Sequence, residues 1–113
     1  MPLNKIPSEA LTGDVAMAAP GSKADGRGYV GVWATDASVC AAIGSPSATG
    51  FAVITVSTFR DGPSASYGNF GTLKDGKLTL QMGNGTGQRS VSIEQTTPDA
   101  LTVDGKAYVR CVP

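Results

Sequence analysis

Two stretches of the chain alternate apolar and polar residues with a period of two. Lys77–Met82 sets Leu78, Leu80 and Met82 on one face and Lys77, Thr79 and Gln81 on the other. Arg89–Gln95 repeats this, with Val91 and Ile93 facing one way and Ser90, Ser92 and Glu94 the other. Such alternation predicts strands with one buried face. Phe51–Phe59 (FAVITVSTF) is apolar on both faces over its first six residues, which predicts a strand packed on both sides. Tyr29–Thr35, a Ser- and Gly-rich run ending in Gly71-Thr72-Leu73, Ala100–Val103 and Ala107–Val112 add weaker strands, and Ser38–Ile43 is a candidate for one more.

Every connection after Gly50 is short, so the strands form an antiparallel meander. A two-residue turn at Asp75-Gly76 sets Leu73 opposite Leu78, as a type I′ hairpin would. At Asp104-Gly105 a three-residue loop with a glycine bulge pairs Leu101 with Val109 and Val103 with Ala107, and turns Cys111 inward. We prefer that register to the two-residue one, which pairs Leu101 with Tyr108. The fold class is therefore all-β, a small up-and-down meander barrel of seven or eight strands. Eight strands bring the first and last together; seven suit a half-open barrel or a sandwich.

Residues 1–28 differ in character. Pro2, Pro7 and Pro20 with Gly13, Gly21, Gly26 and Gly28 interrupt any long element, and only Pro7–Leu11 reads as a helical turn. The expected organisation is a mobile leader over 1–28 and a barrel domain over 29–113. Leu3, Ile6 and Leu11 are the leader's candidates for docking or for contacting a partner.

The two cysteines, Cys40 and Cys111, stand near the two ends of the barrel sequence, where closure would bring them together. We expect them to be bridged as a disulfide, which suits an oxidising compartment; the alternative is two buried free thiols in a cytosolic protein. Two thiols without histidine are an incomplete metal site.

Charge and composition mostly exclude. Nine basic and nine acidic residues are dispersed along the chain, which gives no field for nucleic acid. No apolar run is long enough to span a bilayer as a helix, and the N-terminus lacks a basic-then-apolar signal. The absence of histidine removes Ser–His and Cys–His catalysis. Ser64 lacks the setting of a nucleophile elbow, and most acids stand beside Gly or Pro in turns. Gly83-Asn84-Gly85-Thr86-Gly87 joins two strands and reads as a hairpin loop rather than a phosphate loop. No catalytic residue, cofactor or metal is expected.

Gly31-Val32-Trp33 on the first strand resembles the Gly-x-Trp of lipocalin-like barrels, in which the Trp plugs one end. With Cys40 downstream, a meander and a preceding leader, residues 29–112 resemble the Inh family of periplasmic inhibitors of secreted metalloproteases. That family's cysteines lie close in sequence, whereas Cys40 and Cys111 lie far apart, so the fold carries over better than the activity. Tyr108-Val109-Arg110-Cys111 is also similar to the ending of small uncharacterised secreted alphaproteobacterial proteins. The resemblance implies a lipocalin- or streptavidin-like barrel plugged by Gly31 and Trp33. Its implied function is that of a secreted or periplasmic, non-enzymatic protein-binding module such as a protease inhibitor, whose signal was removed. The alternatives are a small-molecule-binding barrel of lipocalin or avidin type, an envelope structural protein, and a cytoplasmic location.

Overall fold

The structure, a computed structural model, describes residues 5–10, 13–18, 28–43, 49–61, 65–83, 87–97 and 99–112. Eight antiparallel strands close into an up-and-down barrel in chain order. They are β1 (Gly31–Ala34), β2 (Phe51–Ile54), β3 (Thr58–Arg60), β4 (Ala65–Gly68), β5 (Lys77–Gly83), β6 (Gln88–Thr97), β7 (Ala100–Val103) and β8 (Lys106–Arg110). β8 closes onto β1 through Trp33↔Arg110 and Ala34↔Val109.

β5 and β6 follow the alternation. Leu80, Met82, Val91 and Ile93 are buried inside, while Thr79, Gln81, Ser90 and Ser92 are exposed. The Asp75-Gly76 hairpin has the expected two-residue turn. Lys74 and Lys77 exchange both backbone hydrogen bonds (3.0 and 2.9 Å), and Asp75 and Gly76 have φ of 55° and 78°.

Three expectations are corrected. Phe51–Phe59 is a hairpin rather than one strand. Thr55 Oγ1 accepts from the N–H groups of Ser57 (3.3 Å) and Thr58 (2.9 Å), and Thr55 N–H donates to the Thr58 carbonyl (3.0 Å). A threonine side chain thus makes the turn that glycine or proline usually signals. Ser38–Ile43 is not a strand either. Asp36 accepts from Ser38 N–H at 2.9 Å and caps a one-turn helix, α2 (Ala37–Cys40). The eighth strand comes from the split of Phe51–Phe59.

The third correction concerns β7–β8. Leu101 pairs with Tyr108 and Val103 with Lys106 around a two-residue turn. Asp104 and Gly105 have φ of 51° and 85°, the type I′ geometry whose twist matches the flanking strands. Tyr108 and Arg110 therefore share the inner face with Leu101, and Cys111 takes the outer one.

β1 and β2 are buried on both faces, which the apolar run at Phe51 predicts for β2 alone. Trp33, Ala52 and Ile54 join the inner core with Phe59, Leu80 and Ile93. Val32, Ala34, Phe51 and Val53 form a second, outer core with Cys40, Ile43 and Cys111. The leader covers this outer core, where its punctuation predicted a mobile segment. Lys5 pairs in parallel with Val112, and Ile6 N–H donates to the Val112 carbonyl at 2.7 Å. A single turn at Ser8–Ala10 and a short helix, α1 (Gly13–Ala18), follow. Ile6, Ala10, Val15 and Ala18 are all buried in the outer core. Residues 5–18 thus include a strap laid across β1 and β2. An outer face of Val, Ala and Phe cannot stay in water, so something must cover it.

Ile6 is fully buried. Ile6→Ala is expected to cost about 2–4 kcal/mol, read as a lowered urea midpoint, because it opens a cavity between strap and barrel. A loss well under 1 kcal/mol would mean that the strap contributes little to folding.

Candidate functional site

The chain enters the barrel across its floor. Gly28–Val30 pass beneath the strands and are held from several sides. Gln95 Nε2–H donates to the Gly28 carbonyl (2.9 Å), Trp33 Nε1–H to the Tyr29 carbonyl (2.9 Å), and Tyr29 O–H to the Gly71 carbonyl (2.6 Å). Arg110 completes the set. Its guanidinium lies over the Trp33 ring at 4.3 Å and donates to the carbonyls of Val30 (3.0 Å) and Gly28 (2.7 Å). Burial lowers the Arg110 pKa from its ordinary value, with Asp99 opposing the shift. The π-face and two carbonyls compensate the lost hydration.

Gly31 has a concrete role in this floor. A Cβ there would collide with Arg110 Nη1 and press on Trp33 Nε1 at 3.2 Å. The glycine of Gly-x-Trp is the space that admits the cation. Gly31 and Trp33 form part of the barrel's closed end, and neither is accessible.

The mouth lies at the opposite end. Arg89 meets Asp61 through two hydrogen bonds, Nη2–Oδ2 at 2.9 Å and Nη1–Oδ1 at 3.4 Å, and sits 5.3 Å from the centre of the Phe59 ring. The Asp61 hydrogen bond, chiefly, raises the Arg89 pKa above its ordinary value. Tyr108 faces the same end. Burial, then the Asp61 charge, raises its phenol pKa, against the pull of Arg89. The pair is half-exposed, so its contribution to stability is about 0.2–1 kcal/mol.

Cys40 and Cys111 are joined, with an S–S distance of 1.98 Å and Cα atoms 5.6 Å apart. The bridge links α2 to the end of β8 on the outer side of the barrel, under the strap. Burial of Cys111 is therefore due to the leader and not to the barrel interior. Of the leader's three candidates, Ile6 is buried and Leu3 and Leu11 lie outside the described residues. The Gly83–Gly87 loop is also outside them over 84–86.

Three carboxylates have local duties. Asp36 caps α2, Asp61 holds Arg89, and Asp104 accepts from Ser92 N–H at 2.8 Å. Among the described residues, no three His, Cys, Asp or Glu side chains gather as metal ligands, and no helix is long and apolar enough to cross a membrane. Arg110 and Gln95 escaped the sequence reading. The signal for Arg110 was its parity with Tyr108, which the preferred register reversed.

The closed eight-stranded up-and-down barrel defines this protein as a small meander barrel. Comparison with protein-family models, curated proteins and solved structures gives no match.

Arg110→Met keeps the length but removes the donors from Gly28 and Val30. It is expected to cost about 2–4 kcal/mol in urea unfolding, with Trp33 fluorescence reporting a loosened floor. Tyr108 gives a pH signature. Its raised folded pKa means that stability is fully present below the ordinary phenol value of 10.0 and declines as pH rises through the folded one. Urea midpoints should fall in that alkaline range, and Tyr108→Phe should flatten the slope.

Proposed function

We propose that this protein is a non-enzymatic, periplasmic or secreted binding barrel that engages a protein partner with its exterior, a protease inhibitor being the specific form. The filled interior carries this reading. Trp33, Tyr29, Phe59, Leu80 and Ile93 occupy the space inside and are each at most 1% exposed, so a ligand of the lipocalin type has no room beside Trp33. The floor is held by Arg110 and the mouth is occupied by Arg89 and Asp61. The local duties of Asp36, Asp61 and Asp104 support a non-enzymatic role, and the disulfide supports an oxidising compartment.

The docked strap changes where an inhibitory segment would be sought. Ile6 is committed to the outer core, which leaves residues 1–4 and the neighbourhood of Leu11 as the leader's contribution to a partner. The test is inhibition of a panel of secreted bacterial metalloproteases by the full chain. The expected result is stoichiometric inhibition of at least one, weakened about tenfold or more by removal of residues 1–4 or by Leu11→Asp. The same variants should keep the parent urea midpoint. No inhibition and no complex across the panel would overturn the protease form of the proposal.

A further inference from the structure

A notch opens in the outer wall where β4, β5 and β6 meet. Tyr67 on β4 stands opposite Gly83 on β5, and Gly83 stands opposite Gln88 on β6. The three form one cross-strand row with no side chain at its centre. Adjacent strands are about 4.8 Å apart, so the Tyr67 ring and the Gln88 amide flank a gap of about 10 Å. Gln81, two residues before Gly83, projects from the same face and is exposed. Together with Met82 these residues line a groove of about 270 Å³.

Gly83 is not demanded by the backbone. Its φ is not positive, and among the described residues a Cβ there would meet only the Gly87 carbonyl at 3.4 Å, an ordinary contact. Gly68, beside it, differs: a Cβ there would collide with the Gln81 carbonyl. What the glycine at 83 does is keep the row open. Tyr67 is 62% exposed, an unusual placement for a large ring. The side chains of Tyr67, Gln81 and Gln88 make no hydrogen bond among the described residues.

The lining selects a ligand class. None of the described residues that line it is charged. Arg89, next along the strand, is turned to the mouth and held by Asp61 and Phe59. An ionic ligand therefore gains no countercharge here. A wholly apolar one would strip water from two amides without replacing it. Each amide offers both donors and an acceptor, and the negative face of an aromatic ring attracts polarised C–H groups. A pyranose has both complements, a C–H face and a rim of hydroxyls. We propose that this notch binds one neutral sugar residue of a glycan, stacked on Tyr67 with its hydroxyls on Gln81 and Gln88. The site is separate from the leader and does not depend on the protease reading.

Titration of the ¹⁵N-labelled full chain with maltose, cellobiose and N,N′-diacetylchitobiose tests this. At least one should shift the amide signals of residues 67–68, 81–83 and 87–88 while leaving the floor around Trp33 unmoved. Tyr67→Ala, which removes the platform, and Gly83→Val, which fills the gap, should each weaken binding about tenfold or more. Tyr67 is exposed and Gly83 is half-buried on the outer face with room for a Cβ, so the urea midpoints should stay close to that of the parent. Absence of shifts with all three sugars overturns the proposal, as do unaltered affinities in both variants. Weaker inhibition of a protease by Tyr67→Ala, without any sugar response, would assign the notch to a protein contact instead and also overturn it.

Discussion

Arg110 held over the Trp33 ring ties the last strand to the first and to the floor of the barrel. β1 and β8 share two register pairs, and one further backbone bond, from Cys111 N–H to the Val32 carbonyl at 2.7 Å, continues the ladder. Side chains reinforce this short seam. A cation from the last strand covers the ring of the first, and its fork takes the two carbonyls of the segment that crosses the floor. Lysine could offer the charge but not the planar fork. Gly31 has to be small for the same reason, so one geometric demand links three residues from opposite ends of the chain.

The parts legible from the sequence were those in which one physical signal acts alone. Leu78, Leu80, Met82, Val91 and Ile93 show period-two burial, and the structure places them inward. Asp75-Gly76 called for positive φ, and has it. The apolar outer face of Phe51 and Val53 implied a cover, although nothing named the strap as that cover. Illegible features depended on choices between close alternatives. Thr55 builds a turn with its hydroxyl, in a segment without Gly or Pro. One register step at Asp104-Gly105 decides whether Val109 or Arg110 faces Trp33, and the hydrophobic pattern favoured the wrong one.

The candidate site divides in the same way. Gly31, Trp33 and the cysteine pair could be singled out because their residue types are rare or distinctive. Tyr67, Gly83 and Gln88 could not, since their alignment requires the register of two hairpins at once. Ile6 was visible as an apolar residue in a leader broken by Pro and Gly, but its partners lie in β1 and β2 and beside Val112. Such contacts join the two ends of the chain, and no local pattern records them.

The bridge between Cys40 and Cys111, 71 positions apart, makes a covalent ring that contains β2 to β8 and leaves β1 and the strap outside. Mechanically, the molecule is a short tether attached to a closed loop. A force applied at the N-terminus peels away the strap, then draws out the strand that carries Trp33, and stops at Cys40. Seven strands stay tied end to end around the vacated position. Return of β1 is then the insertion of one strand between two tethered neighbours, rather than a search by a whole chain.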